Sequence, residues 1–186
     1  MSGSERREQV LAIAAEEFAR CGLHGASVES IARQAEITQP YVFRIFGTKQ
    51  ALFLEVMTAS FDRLTQSMRD AAGESTGREA LGLMGARYYE LLGDRTALLL
   101  QLQGFAACGD PVVREAVRDS FGRMWKTVAD VTGLDPVTIK SFLAFGMLLN
   151  NAAALEVSAV DEPWAEGVQT RIEAGLFDHI TSETNR

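Results

Sequence analysis

The side chains with the most directed chemistry in this 186-residue chain fall between residues 27 and 49. From Ile37 to Leu54 there is no acid, and Arg44 and Lys49 are the only charges. Arginine reads a guanine edge bidentately or grips phosphate, and glutamine pairs with adenine, so Arg44 and Gln39 suit a nucleic-acid face. Tyr41 offers a ring and a hydroxyl to a base or a sugar-phosphate. Lys49 falls at the start of a predicted helix, where a cation is locally unfavourable and a phosphate partner would offset the cost. An ordinary three-helix subdomain would explain the apolar spacing here but not an exposed face free of acids.

Other chemistry is poorly supplied. Cys21 and Cys108 lack CxxC spacing and are too few for a disulfide scaffold, and they read as buried apolar residues. His24 and His179 are the only histidines, so neither a metal site nor a cofactor is expected. No Ser/His/Asp, Cys/His, paired-carboxylate or Gly-rich phosphate constellation emerges, and the expectation is a non-enzyme. Net charge is −7, against a protein that coats nucleic acid indiscriminately. Glu5, Glu8, Glu16 and Glu17 interrupt every early apolar stretch, which argues against a secretory signal. The longest uncharged run, Ser141 to Leu155, falls short of the roughly 20 apolar residues of a membrane span. A cytoplasmic protein with no membrane partner is expected.

Composition says what must position these residues. The chain has 25 Ala and 19 Leu against 13 Val and 7 Ile, a bias to helix over sheet. Helical periodicity predicts an all-α chain of about nine helices. A stripe of Val10, Ile13, Ala14 and Phe18 predicts a first helix over 5–21, stopped at Gly22. Ser27 stands where an N-cap should, before a short helix ending near Ala35. Thr38 is the next N-cap candidate, with Pro40 in the first turn, where its missing N–H costs nothing. Gly47-Thr48 ends that helix and caps a longer one. Residues 73–78, short and polar with two glycines, read as a linker. Helices are then expected near 78–92, 95–108, 111–132, 136–160 and 164–182. Asp110-Pro111, Asp135-Pro136 and Glu162-Pro163 are helix-start punctuation. Gly82, Gly85, Gly104, Gly122 and Gly146, inside helices, suggest close helix approaches or kinks.

Two short helices joined at Ala35-Glu36-Ile37, with an amphipathic helix before them, describe a helix-turn-helix. Ala32 is the small crossing residue and Ile37 the apolar plug. Val42, Ile45 and Phe46 can pack inward while Gln39, Tyr41 and Arg44 face out. At these residues the sequence resembles the TetR/AcrR family of transcriptional regulators. Gly22, Ser27-Val28, Ile31-Ala32, Tyr41, Phe43, Phe46 and Lys49 through Leu52 carry the resemblance, over about a quarter of the chain. It implies a DNA-binding domain over 1–50, a linking helix from about 48, and a helical ligand-binding and dimerisation domain over 51–186. It also implies that Ser27, Thr38, Gln39, Pro40, Tyr41, Arg44 and Lys49 contact double-stranded DNA. The family often has Gly where this chain has Glu36, Tyr at Phe43 and His at Ile45. Glu36 is therefore expected to bear left-handed backbone strain. With Phe43 and Ile45 unable to donate to phosphate, anchoring falls to Lys49, Arg44, Ser27, Thr38 and backbone N–H groups. Glu29 would repel phosphate if it faced DNA.

Downstream, Met84, Tyr88, Leu102, Phe105, Phe121, Met124, Trp125, Phe142 and Phe145 lie at helical spacings. Singly each reads as core. Together they suit a pocket for an apolar or aromatic effector with one polar end. Ala153, Val157, Trp164, Val168, Ile172 and Leu176 make small-residue and apolar stripes on the last two helices, and the resemblance implies a homodimer through them. The leading expectation is a homodimeric, ligand-responsive regulator, a repressor on a near-palindromic operator. The alternative is a helical small-molecule or lipid-binding protein with a vestigial DNA-binding unit, kept open by Phe43, Ile45 and Glu36.

Overall fold

The computed structural model describes residues 2–170, and these contain nine α-helices, one 3-10 turn and no strand. The helices are α1 (Gly3–Gly25), α2 (Val28–Gln34), α3 (Gln39–Phe46), α4 (Lys49–Ala72), α5 (Gly77–Leu91), α6 (Arg95–Ala106), α7 (Pro111–Thr132), α8 (Pro136–Ala154) and α9 (Pro163–Gln169). The all-α expectation holds. The caps fall on the predicted residues, because short polar side chains satisfy the free N–H groups of a first turn. Ser27 accepts from the Ser30 N–H at 3.2 Å and Thr48 from the Ala51 N–H at 3.0 Å. Asp110 and Asp135 do the same for α7 and α8. Thr38 and Glu162 have extended backbones at their helix starts but give no side-chain cap.

The chain forms two compact units. The first comprises Met1–Arg63 with Asp94–Gly122. Its core gathers Val10, Ala14 and Phe18 of α1, Ile31 and Ala32 of α2, Val42 and Phe46 of α3, and Leu52, Phe53, Val56 and Met57 of α4. Leu100 of α6 and Val113 and Val117 of α7 complete it. Phe18 and Phe53 meet edge to face, with centroids 5.1 Å apart. The second unit comprises Leu64–Gly93 and the chain from Arg123 onward. Within it, Tyr88 of α5 packs beside Gly146 of α8 and donates its hydroxyl to that residue's carbonyl at 3.2 Å. The polar stretch at 73–78 lies inside this second unit, where residues 73–76 form the short turn from α4 to α5 and Gly77 and Arg78 open α5.

Two glycines explain local geometry. Gly22 breaks α1 with φ 66°, the left-handed region that a side chain resists, and so ends the regular helix where predicted. Gly104 lets α6 approach Met57, whose Cγ lies 3.1 Å from where a Cβ would stand. Gly85 and Gly146 also face neighbouring helices, but Gly82 and Gly122 face open space, so close approach does not explain those two.

Two helix ends depart from expectation. The helix foreseen over 164–182 ends at Gln169, where Thr170 leaves the helical region with ψ 128°, and the rest of that span lies outside the described residues. The helix foreseen over 136–160 ends at Ala154, because Glu156 turns into the left-handed region (φ 53°) and donates its N–H to the Ala153 carbonyl at 3.1 Å. No Gly or Pro announces that stop. Val157 then lies in a 3-10 turn, Val157–Ala159, and is buried. By length and composition α8 is apolar enough to cross a membrane, yet its sides differ. Ile139, Leu143 and Asn150 are buried, whereas Met147, Leu148 and Leu155 beyond its end are exposed.

Candidate nucleic-acid interface

The α2–α3 pair is fixed by contacts from outside it. The turn closes through the Ile37 N–H on the Ala32 carbonyl at 3.0 Å and the Glu36 N–H on Arg33 at 3.2 Å. Glu36 sits at φ 55°, the left-handed conformation expected where a glycine is usual. Arg6 of α1 reaches across to donate to the Ala35 carbonyl at 2.9 Å, holding the C-terminus of α2. At the opposite end, Glu17 is 5% exposed and accepts the Ser27 N–H at 3.0 Å, with Arg20 as its ion-pair partner. One buried carboxylate therefore receives a donor from the residue that itself caps α2. Its charge is matched by a guanidinium, as burial requires.

The recognition face of α3 follows from this anchorage. Val42 and Phe46 are buried and Ile45 is half-buried. Thr38, Gln39, Pro40, Phe43 and Arg44 are exposed, and Tyr41 is half-buried. The Arg44 guanidinium lies 4.4 Å over the Tyr41 ring. Ser27 is exposed at the start of α2, and its hydroxyl is engaged in capping. Glu29 and Glu36 are exposed acids on the same two-helix unit. Phe43, at 38% exposure, is an apolar side chain left on the polar face.

Lys49 is placed differently from its neighbours. It is half-buried, and its Nζ donates to the carbonyls of His24 at 3.1 Å and Ala26 at 3.2 Å. An ammonium has three donors, so one remains for a phosphate. Lys49 thus ties the end of α1 to the start of α4.

Sequence reasoning missed the supports. Arg7 pairs with Glu55 and lies 5.0 Å over the Phe46 ring, securing the end of α3. Gln50 donates to Asp110 at 2.8 Å, joining the first turn of α4 to the cap of α7. Asp110 is held below the usual carboxylate range, chiefly by the Val113 N–H, with Val112, Gln50 and His24 adding to the effect. Asp135 is lowered too, first by the Thr138 hydroxyl and then by the Thr138 N–H. Each of these partners lies far away in sequence or depends on an exact helix register, so no local pattern signals it.

The aromatic and methionine set divides between the two units. Leu102, Phe105 and Phe121 belong to the first, where Phe105 meets Phe61 at 6.0 Å and Phe121 at 6.4 Å, both edge to face. Met84, Tyr88, Met124, Trp125, Phe142 and Phe145 belong to the second. Met84 is wholly buried, and burial pushes the Tyr88 hydroxyl far above its ordinary pKa. Of the dimer candidates, Ala153 and Val168 are half-buried and Trp164 is exposed. Val157 is taken up by its own chain, because α8 stops short of it. Ile172 and Leu176 lie outside the described residues. Among the described residues no cluster of His, Cys, Asp or Glu could hold a metal.

A short helix, a tight turn and a second helix with a polar outer face, buttressed by a longer amphipathic helix, define the helix-turn-helix class of DNA-binding proteins. Residues 10–56 match the family described as bacterial regulatory proteins, tetR family. Over 72 residues the chain is 35% identical to the HTH-type transcriptional activator FasR of Mycolicibacterium smegmatis, covering 39% of this chain and 33% of FasR. The match thus spans about a third of that curated relative's length. The whole fold is similar to that of a TetR-like transcriptional regulator from Rhodococcus, with TM-score 0.69, 19% identity and 98% of both chains covered. It is also similar to FadR from Bacillus subtilis in complex with stearoyl-CoA, with TM-score 0.66, 16% identity, and 95% of this chain and 96% of that one covered.

Proposed function

We propose that this chain is a homodimeric, effector-responsive transcriptional regulator, a cytoplasmic repressor that occupies a near-palindromic DNA operator. The observation that carries the reading is the outer face of α3. It presents Gln39, Tyr41 and Arg44 on a helix whose position is fixed at both ends of its partner by Arg6 and Glu17. Direct base contacts come from Arg44, Gln39 and Tyr41. Ser27, Thr38, Pro40 and Lys49 position the backbone. Two copies would set recognition helices about 34–36 Å apart, on successive major-groove faces.

The exposed side of α8, Met147 and Leu148 with Leu155 beyond, is the surface a second copy would cover, joined by Trp164 of α9. A one-sided apolar helix fits a partner helix better than lipid, since the opposite face already meets its own chain. The effector is an apolar or aromatic molecule bound by the helical region after α3. The stearoyl-CoA of the Bacillus subtilis FadR complex supports an apolar ligand for this architecture. To take an operator-competent population from 99:1 to 1:99, the effector needs about 5.5 kcal/mol of differential affinity.

Selection of bound sequences from a random DNA pool tests the proposal. A two-fold motif, bound with strong salt dependence, is expected. Binding that shows neither sequence preference nor salt dependence would instead favour a helical small-molecule carrier with a vestigial DNA unit.

A further inference from the structure

Helical serines and threonines usually return their hydroxyl to the carbonyl one turn back. Ser141 does so on Val137 at 2.9 Å, and Thr132 on Val128 at 2.7 Å. Ser60, in the middle of α4, does not. It is 2% exposed, and among the described residues its Oγ is the one buried side-chain oxygen or nitrogen without a hydrogen-bond partner. An unpaired buried hydroxyl is costly, because it gives up water and gains nothing.

Its setting on the helix is apolar. Val56, Met57 and Leu64, within one turn of Ser60 along the same side of α4, are buried, as is the adjoining Phe61, whereas Arg63, three residues on, is exposed. Met57 lies against Gly104 of α6, and Phe61 meets Phe105, which in turn meets Phe121. Ser60 is thus an unpaired hydroxyl beside the methionine and phenylalanine of α4, and the facing helices α6 and α7 also bury Gln101 and Ser120. The nearest charges on α4, Asp62 and Arg63, are exposed.

We propose that Ser60 is the hydrogen-bond donor that holds the neutral carbonyl group of a lipophilic effector. The inference deepens the effector reading above and rests on it. A hydroxyl can compensate the desolvation of a ketone or ester carbonyl, but not that of a carboxylate, which needs a cation beside it once buried. The methionine and phenylalanine side chains beside Ser60 adapt to a chain of variable shape. Ser60 therefore selects an uncharged carbonyl over both a free acid and a plain hydrocarbon.

The test uses the full chain and three probes of equal carbon count: a medium-chain methyl ketone, the fatty acid and the alkane. Competition against a lipophilic fluorescent dye measures each affinity, and thermal melting reports the unliganded protein. The ketone should bind about fivefold tighter than the alkane, the increment of one neutral hydrogen bond, and the carboxylate weakest of the three. Ser60→Ala should abolish the ketone's advantage, leave alkane binding unchanged, and melt no lower than the parent. Ser60→Cys, close in size and a weak donor, should keep part of the advantage. Persistence of the ketone preference in Ser60→Ala overturns the assignment while sparing the effector reading. So does a carboxylate that binds tightest, or a Ser60→Ala protein that melts lower without ligand. If none of the probes displaces the dye or raises the melting temperature, the apolar-effector reading itself falls.

Discussion

The guanidinium of Arg44 rests 4.4 Å above the ring of Tyr41, one turn earlier on α3. An exposed cation–π contact of this kind contributes about 0.5–1 kcal/mol, enough to bias a long side chain without immobilising it. Arg44 is held against its own helix, and the base contact proposed for it requires that it exchange the ring for a base edge. Arg44→Ala should cost about 1–3 kcal/mol on the true operator and relax preference at one position per half-site. Tyr41→Leu, which frees Arg44, should change affinity less than Arg44→Ala does. Binding isotherms on the selected operator and its single-base variants check both.

Lys49 should behave as two residues in one. Its hydrogen bonds to His24 and Ala26 are charge-assisted, though partly solvated, so Lys49→Ala should lower stability by about 1 kcal/mol. For a chain of this length that is a fall in Tm of about 2–4 °C. Operator and random DNA should weaken alike, and the log K against log salt slope should flatten by roughly 0.9 per lost phosphate contact. A fall in Tm with an unchanged salt slope would confine Lys49 to a structural role.

Glu36→Gly should stabilise the protein. A left-handed backbone costs an L-residue roughly 1–2 kcal/mol, and part of that returns as glycine's greater unfolded-state entropy. A net gain of about 0.5 kcal/mol is expected, read as a rise in Tm, whereas Glu36→Ala keeps the Cβ and should gain nothing. Removing the exposed acid should also tighten DNA binding at low salt.

The α8 face can be tested without the residues beyond 170. A Met147→Glu, Leu148→Glu double variant places charge on an exposed apolar surface, so the fold should persist. Sedimentation should give twice 20.3 kDa for the parent and once for the variant, with operator binding lost in step. A variant that remains dimeric moves the interface elsewhere.

Asp135 gives a prediction in pH. Its folded pKa is lowered, so its contribution is present above the unfolded value of about 3.9 and is lost as pH falls through the folded one. The difference in Tm between the parent and Asp135→Asn should be constant above about pH 5 and shrink toward zero in acid. A difference that grows on acidification would contradict the assigned sign.

Local chemistry was readable in the chain. Ser27, Thr48, Asp110 and Asp135 cap because a short acceptor must meet N–H groups two or three residues on, a relation contained within one turn. Gly22 and Glu36 were readable for the same reason, since a sharp break and a two-helix turn constrain single backbones. The end of α8 was not, because Glu156 enters the left-handed region with no glycine to mark it and with Val157 buried just beyond.

By itself, the sequence determined the helical class, the order of the helices and the polar face of α3, all of which follow from periodicity and from caps a few residues apart. Only the tertiary structure decided what holds that face in place. The partners of Arg6, Glu17, Lys49 and Gln50 lie from ten to sixty residues away, and each bond depends on how whole helices pack. It also decided that Ser60 is buried and unpaired. A serine in a helix says nothing of its surroundings until the neighbouring helices close over it.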